Sequence, residues 1–378
     1  IKDLNIKWET TKETDLGFEY AILKGKLTGE FDVYDKRVDN ALIYVRVPGT
    51  FGSQANPNSN ITPGDVLTNA ASIDNKGIEF SARWHDKINE DLSYFIGGNV
   101  SYNQNKVLSL NGGVPFFDGN INGYYTTETK PGYPIGSFFM RQVVGVFQSY
   151  SDINNYKDAN GNVLQSGAQP GDFKYKYNTA LKEPPNVPAP LDTVFQGAYQ
   201  PKIYVGMSGG INYKSFDFSF DIYSNIGNQV YNGKLQARVV ATDNIESSVA
   251  TSFWTSSNQS QTQPRANAGN LPASSYFISS GTFVRLNNLI IGYTLPVKIL
   301  NKQKVITSCR IFFDGQNLVT LKKYGGFSAE LPSASTINNT GAVTANTVIP
   351  ITTATNSGID YNTYPTIRTF AFGVNLGL

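Results

Sequence analysis

The sequence predicts an all-β fold, an antiparallel transmembrane β-barrel wall of about eleven strands with long extracellular loops. Apolar and polar residues alternate with a period of two along segments of about ten residues, the reach of a tilted strand across a membrane. The connections between these segments fall into a short and a long population. No apolar run approaches the roughly 18 residues that a membrane-crossing helix needs, so a helical membrane protein is excluded.

The composition of the 378 residues excludes several kinds of functional site. A single cysteine excludes an internal disulfide and a cysteine-rich zinc site, and a single histidine excludes any site that needs two imidazoles. The 31 basic and 29 acidic residues leave a net charge of +2, so no nucleic-acid partner is expected. Residues 1–5 lack a starting Met and the pattern of a signal peptide, which predicts a mature chain or a piece of a longer one.

The strand pattern is clearest over residues 92–102, where one face is apolar and the other is mostly small or polar. Residues 77–86 repeat this pattern. In 216–223, Phe216, Phe218, Phe220 and Ile222 alternate with polar residues and Tyr223. The further predicted strands are 14–23, 27–46, 137–147, 203–213, 283–295, 305–318 and 364–378.

The connections predict which end of each strand faces outward. The short ones are 24–26, 87–91, 214–215 and 296–304, and the long ones are 47–76, 148–202, 228–282 and 319–363. In a membrane barrel the two kinds must alternate along the chain, which holds here only if 121–130 forms one more strand before a turn at 131–136. The resulting eleven strands are an odd number, whereas a closed antiparallel barrel normally has an even one, so the remaining strands are expected on a preceding part of the polypeptide.

Several stretches carry a family resemblance. The last predicted strand places Phe370, Phe372, Val374, Leu376 and Leu378 on one face, although outer-membrane barrels usually end in an aromatic residue. The other matching stretches are Lys7-Trp8-Glu9-Thr10, Asn75-Lys76-Gly77-Ile78-Glu79, Pro134-Ile135-Gly136-Ser137-Phe138, Gly145-Val146-Phe147-Gln148, Gln200-Pro201-Lys202, Phe283-Val284-Arg285-Leu286-Asn287-Asn288-Leu289, Gln316-Asn317-Leu318 and Lys323-Tyr324-Gly325-Gly326. In order and spacing, this set resembles the C-terminal half of the SusC/RagA-type TonB-dependent transporters of Bacteroidetes outer membranes.

The resemblance implies a 22-stranded barrel, a size class known for plugged outer-membrane transporters. Residues 1–378 would be the C-terminal part of that barrel, with the plug domain and the N-terminal strands outside this chain. It further implies TonB-dependent import of an oligomeric nutrient, either a glycan or a peptide. The expected partners are a SusD-like surface lipoprotein, outer-membrane lipid and, through the missing N-terminal part, the TonB complex. No enzymatic activity and no cofactor are expected.

Six charged residues fall on the faces predicted to line the lumen. They could line a substrate path or contact the plug, but a solvated, salt-bridged wall is the favoured interpretation for any one of them. These residues are Glu79, Arg83, Asp217, Asp221, Arg310 and Asp314.

The aromatic residues Phe253, Trp254 and Tyr276 lie in a predicted loop. Aromatic rings of this kind could stack on a sugar or grip a peptide. Packing of one loop on another, or burial under a partner, accounts for them equally well. The substrate-binding residues therefore stay unknown at this point.

No catalytic or metal site is predicted. Asp158-Ala159-Asn160-Gly161-Asn162 begins like a calcium loop but has Gln169 where the closing glutamate would stand, so a turn is favoured. Residues 171–179 lack the acidic oxygens that relatives tend to carry there, and Ser328-Ala329-Glu330 replaces the Asp-Pro-Glu expected after the Tyr-Gly-Gly stretch. His85 has no marked nucleophile partner, and Cys309 is interpreted as a small apolar residue facing lipid or a neighbour.

A second function class stays open on the residues alone. A secreted or surface-attached all-β binding protein or adhesin would also show alternating strands, but it would expose polar residues on both outer faces and dissolve without detergent. A passive porin is disfavoured by the long loops.

Overall fold

The computed structural model describes residues 4–46, 65–111, 113, 115–121, 123–179, 190–238, 245–266, 271–300, 305–331, 355–361 and 363–377. Its strands are β1 (Thr10–Ile22), β2 (Leu27–Arg46), β3 (Asp65–Lys87), β4 (Leu92–Leu110), β5 (Phe116–Asp118), β6 (Thr127–Thr129), β7 (Ser137–Arg141), β8 (Val143–Val146), β9 (Phe173–Tyr175), β10 (Thr193–Gly197), β11 (Ile203–Tyr213), β12 (Phe216–Ile226), β13 (Gln229–Tyr231), β14 (Ile278–Ser280), β15 (Phe283–Thr294), β16 (Ser308–Lys322) and β17 (Thr369–Gly377). The helices are α1 (Tyr150–Asn155), α2 (Gly233–Arg238), α3 (Ser247–Ala250), α4 (Val297–Leu300) and a 3-10 helix at Ser275–Phe277. None of the helices in these ranges is long and apolar enough to cross a membrane.

The dominant feature is one antiparallel sheet of nine described strands in the order β1-β2-β3-β4-β11-β12-β15-β16-β17. Each strand pairs with the next one of the sheet along the chain, so the sheet is a meander without crossovers. Short connections join β1 to β2, β3 to β4, β11 to β12 and β15 to β16, and long ones join the remaining neighbours. The antiparallel all-β fold and the alternation of short and long connections are confirmed.

The prediction of eleven wall strands is wrong in number for the described residues. Residues 121–130 do not form a wall strand, because β4 pairs directly with β11 and only Thr127–Thr129 of that segment is a strand, in a separate sheet. Residues 137–147 do form strands, β7 and β8, but these also lie outside the wall. With both segments removed from the wall, the alternation of connections holds without an added strand.

The two faces of the nine-stranded sheet differ in polarity, as the sequence predicts. The register aligns Tyr213, Phe216 and Tyr293 in one row and Ile211, Phe218 and Ile291 in the next, all on the outer face. Outer-face side chains from other strands are exposed too, as in Phe18, Phe80, Ile96 and Phe372. The predicted face of β17 is confirmed from Phe370 to Leu376, and Leu378 lies outside the described residues.

Glycines on the inner face make room for the few large rings there. A Cβ atom on Gly210 would lie 2.5 Å from Cε1 of Phe95, and one on Gly373 would lie 2.3 Å from Cζ of Phe312. Each ring therefore lies flat over the backbone of the neighbouring strand instead of projecting outward. This placement explains how Phe95 and Phe312 fit on a face that is otherwise small or polar.

Described parts of three long connections, those after β4, β12 and β16, fold together beside one end of the wall. Strands β10, β7, β6 and β5 form a four-stranded sheet, and the pairs β8–β9 and β13–β14 form two smaller ones. Their shared core joins connection 111–202, through Phe138 and Phe173, to connection 227–282, through Tyr231 and Phe277, and to Ile359 from the last connection. We call this assembly the loop core.

Candidate functional site

The six predicted lumen residues all lie on the inner face, but they do not converge on one centre. Asp217 and Arg310 form an ion pair across β15, with Arg310 Nε 2.9 Å from Asp217 Oδ1. Gly292 lies between them, and a Cβ atom there would lie 2.3 Å from the same carboxylate oxygen. Because both partners are partly exposed, such a pair contributes only about 0–1 kcal/mol. It serves to neutralise charge within the wall.

The other lumen residues are distributed along the wall. The guanidinium of Arg83 lies 4.2 Å from the ring centroid of Phe95, and Glu79 accepts a hydrogen bond of 3.2 Å from Ser101 Oγ. Asp314 accepts one of 3.1 Å from Gln316 on the same strand. The inner face is therefore a dispersed polar surface, which agrees with the favoured interpretation of a solvated wall.

The loop core is held by a clamp between two long connections. The indole Nε1 of Trp254 donates to Gln148 Oε1 at 2.9 Å, and Arg265 Nε lies 2.6 Å from Asp172 Oδ1. Gly171 has φ +89°, and a Cβ atom there would lie 2.5 Å from the Trp254 ring. The backbone nitrogen of Arg265 donates to the Gly171 carbonyl at 2.7 Å. Gly171 and Asp172 thus join the β4–β11 connection to the β12–β15 connection, a role that the sequence did not reveal.

Tyr276 also packs within the loop core. Its hydroxyl donates to Gln263 Oε1 at 2.5 Å, and its ring centroid lies 4.7 Å from that of Phe173. Trp254 and Tyr276 are therefore packing residues, one of the two interpretations left open by the sequence. Phe253 is half-buried.

A second contact region ties the β16–β17 connection to the inner face of the wall. Glu330 accepts a 2.8 Å bond from Nη1 of buried Arg285, and Tyr324 donates a 2.6 Å bond to buried Asp360. The hydroxyl of Tyr199 donates to the carbonyl of Leu331 at 2.7 Å. Glu330 therefore has a structural role, although Ser328-Ala329-Glu330 does not match the Asp-Pro-Glu that the family resemblance implies. Arg285 stands in a stretch that resembles the family, but the sequence did not reveal that Arg285 contacts this connection, and it did not mark Asp360 at all.

The segment that begins like a calcium loop is a hydrogen-bonded turn. Asp158 Oδ1 accepts hydrogen bonds of 2.9 Å from the backbone nitrogens of Asn160 and Asn162, which closes the turn. No group of three or more potential metal ligands occurs within the described ranges. His85 is exposed near the turn-side end of β3, and Cys309 lies opposite Leu376 on the outer face.

Partly buried tyrosines give the loop core a defined response to alkali. Burial raises the pKa of Tyr199, Tyr276 and Tyr361 to about 12, whereas an exposed phenol ionises near pH 10. Because these folded pKa values are raised, their contribution to stability is complete below about pH 10 and is lost as the pH rises towards about 12. We expect the loops to become protease-sensitive in that window, in step with phenolate absorbance. Opening already at neutral pH would contradict this prediction.

The geometry defines a class of protein, a membrane-type β-barrel wall with a folded loop core beside one end. The sequence matches the family described as "TonB dependent receptor-like, beta-barrel" over residues 2–318. The chain belongs to that family, which is one of receptors and transporters and not of enzymes.

Individual relatives agree with this assignment. The chain is 27% identical over 383 residues to TonB-dependent receptor P3 of Formosa agariphila, covering 98% of this chain and 34% of the relative. It is also 27% identical over 387 residues to TonB-dependent receptor SusC of Bacteroides thetaiotaomicron, covering 98% and 32% respectively. The chain thus spans about a third of the length of these curated relatives.

A solved structure shows the same fold. The structure described as the RagAB peptide transporter matches with a TM-score of 0.71 at 20% identity, over 98% of this chain and 35% of that one. The RagAB peptide importer in its open-open state matches equally well, with a TM-score of 0.71. The resemblance to SusC/RagA-type receptors is confirmed.

Proposed function

We propose that residues 1–378 form the C-terminal part of the barrel of a TonB-dependent importer in the outer membrane of a Gram-negative, Bacteroidetes-like bacterium. A preceding part of the polypeptide supplies the plug domain and the other strands. The share of the relatives that the chain covers supports this proposal. The described end strands also support it, because β1 pairs only with β2 and β17 only with β16, which leaves one edge of each available for further strands.

One observation carries the membrane assignment. The outer face of the nine described strands exposes a continuous apolar band, whereas the inner face is polar. A large exposed apolar surface is unfavourable in water and favourable against lipid chains. An aromatic row at the turn side, with Phe216 and Tyr293 ring centroids 4.6 Å apart, matches the girdle found at membrane interfaces.

The same arrangement supports the proposed substrate and partners. The described long connections gather at one side of the wall, where a SusD-like lipoprotein would enclose an oligomeric glycan or peptide above the lumen. The TonB complex would act from the opposite side, through the plug. The dispersed polar inner face suits passage of a substrate through the lumen.

The test uses the full-length protein in its native host. We expect it in the outer-membrane fraction, extractable only with detergent and co-purifying with a surface lipoprotein. Uptake of a fluorescent oligosaccharide or oligopeptide should require both this protein and TonB. Recovery of the protein from the medium without detergent would instead support a secreted binding protein, and uptake that persists without TonB would support a porin.

A further inference from the structure

Three tyrosines lie on the inner face of the wall, in the half that is nearer to the long connections. Tyr34 of β2, Tyr204 of β11 and Tyr223 of β12 share this face with Glu79 and Asp221, and all three are partly exposed. From β2 to β12 there are four strand spacings, so the three side chains extend over about 19 Å of the wall. We call Tyr34, Tyr204 and Tyr223 the tyrosine track.

The ring of Tyr34 lies flat on the neighbouring strand. A Cβ atom on Gly77 of β3 would lie 2.5 Å from Cε1 of Tyr34. The Tyr34 hydroxyl reaches the strand beyond, where it donates a 3.3 Å hydrogen bond to Asn103 Oδ1. Because Gly77 has no side chain, the ring crosses the backbone of β3 and turns one face towards the lumen. Such a ring face is a surface on which the apolar face of a sugar can pack.

Tyr204 and Tyr223 add hydrogen-bonding groups to the track. Tyr204 is in register with Asn225, which places it diagonally opposite Tyr223 at about 7–8 Å between Cα atoms. The ring of Tyr223 packs edge-on against Phe283, with 5.8 Å between the centroids. In the described part of the chain neither of the two hydroxyls makes a hydrogen bond. Since a phenol hydroxyl both donates and accepts, each can bind a ligand in the lumen.

Amide groups stand beside the rings. Asn99 is exposed on the same face, and a Cβ atom on Gly206, opposite Tyr223, would lie 3.2 Å from Cγ of Asn99. Asn103 uses its side-chain oxygen for Tyr34, which leaves its side-chain nitrogen as a donor. Rings combined with a few neutral donors and acceptors are the usual lining of a site that binds an uncharged polar ligand.

The charges near the track disfavour an anionic ligand. Asp32 and Glu79 are opposite each other on β2 and β3, one position along this face from Tyr34 and Gly77. On the far side, Arg285 is in register with Tyr223, but its positive charge is paired with Glu330 at 2.8 Å. A carboxylate or sulfate on the ligand would therefore meet repulsion at one end of the track without a free cation at the other.

The backbone around the track offers nothing to an extended peptide. Strands β2, β3, β4, β11 and β12 are each paired on both sides. A peptide that binds a sheet gains much of its affinity by pairing its main chain with an exposed strand edge. Only side-chain rings, hydroxyls and amides face the lumen here, and these groups match the apolar faces and hydroxyls of a sugar.

We propose that the tyrosine track binds a neutral oligosaccharide as it enters the lumen, an inference that rests on the proposed import function. One sugar unit stacks on Tyr34, and the hydroxyls of Tyr204 and Tyr223 bind further units together with the neighbouring amides. The inference narrows the substrate from a glycan or a peptide to an uncharged glycan. It also places substrate contacts on the wall itself, whereas Trp254 and Tyr276 pack within the loop core.

The test uses the detergent-solubilised full-length protein purified with its surface lipoprotein. The probes are an array of neutral oligosaccharides (α-glucans, β-glucans, mannans, xylans and galactans), oligogalacturonate and a heptapeptide library. We expect binding to a neutral oligosaccharide, whose affinity is then measured by isothermal titration calorimetry. The double variant Tyr204→Ala and Tyr223→Ala should bind it roughly tenfold to a hundredfold more weakly, because two rings are lost.

Two further variants control this comparison. Tyr150→Ala with Tyr364→Ala also removes two tyrosines, which are 65% and 82% exposed outside the wall, and should leave the affinity unchanged. Tyr204→Phe with Tyr223→Phe keeps both rings and the packing against Phe283. It should weaken binding only about threefold to tenfold, through the lost hydroxyls. Heat-modifiable mobility on gels checks that each variant is folded.

The outcomes separate this inference from the proposed function. Equal affinity in the wild type and in the Phe variant, together with equal affinity in the Ala variant and the Tyr150 control, would overturn the site. Binding of oligogalacturonate or heptapeptides but of no neutral oligosaccharide would overturn the substrate class and leave the import function intact. Absence of the wild-type protein from the outer membrane, or uptake without TonB, would instead refute the proposed function.

Discussion

Replacing Phe218 with arginine is expected to destabilise the assembled barrel in the membrane. Phe218 lies on the outer face between Ile211 and Ile291, within the apolar band, and is exposed. An arginine facing lipid costs about 2–4 kcal/mol at the middle of the membrane and about 0–1 kcal/mol near the interface. Phe218 lies one row inside the aromatic row of Phe216 and Tyr293, so the cost here is about 1–2 kcal/mol, and packing of the Phe218 ring near Phe220 is also lost. The ratio of folded to unfolded protein should therefore fall roughly tenfold, measured by heat-modifiable mobility of membrane fractions on gels.

The matched control changes the next residue along the same strand. Ser219 lies on the inner face, so Ser219→Arg places the same charge towards the wet lumen. Assembly of this variant should stay close to that of the wild type. If Ser219→Arg blocks assembly while Phe218→Arg does not, the inner and outer faces are assigned the wrong way round.

Gly171→Ala is expected to open the clamp of the loop core. Gly171 has φ +89°, and the new methyl group would lie 2.5 Å from Cε3 of Trp254 and 2.6 Å from Cβ of Arg265. The left-handed backbone costs about 1–2 kcal/mol for a residue with a side chain, and overpacking adds about 1–3 kcal/mol. Displacement of the indole from Gln148 should shift tryptophan fluorescence to longer wavelength and expose the loops to protease.

Gly161→Ala separates these two costs. Gly161 has a similar φ of +85° in the same connection, but a Cβ atom there would meet nothing within 4 Å. This variant should lose only the backbone contribution, with no change in tryptophan fluorescence. Equal effects of the two substitutions on fluorescence and proteolysis would show that contact with Trp254 does not matter.

The number of wall strands could not be predicted from the alternation of apolar and polar residues alone. Residues 137–147 alternate as well as a wall strand does, but Phe138 and Met140 bury their apolar face in the loop core instead of presenting it to lipid. Alternation of apolar and polar residues indicates only that one face of the strand is apolar. It does not indicate whether lipid or another part of the protein covers that face. If 137–147 is counted as a wall strand, short and long connections alternate only with a further strand at 121–130. The pairing of β4 with β11 makes that further strand unnecessary.

The same distinction applies to the loop residues. An aromatic ring is equally suited to a ligand and to a neighbouring loop, so the sequence could not decide the role of Trp254 or Tyr276. Their partners, Gln148 and Gln263, differ in distance along the chain: 106 residues for Trp254 and 13 for Tyr276. The ion pair of Arg285 and Glu330 likewise joins residues that no local pattern connects.

The amino-acid order alone determined the polarity of the wall, because alternation along a strand directly fixes which side chains share a face. It also determined the two kinds of connection, since strand and turn propensities act over a few residues. Only the tertiary structure decided which strands join the wall, which aromatic rings are buried and which charges are paired. Those outcomes depend on contacts between distant segments, whose free energy arises only once the chain has brought them together.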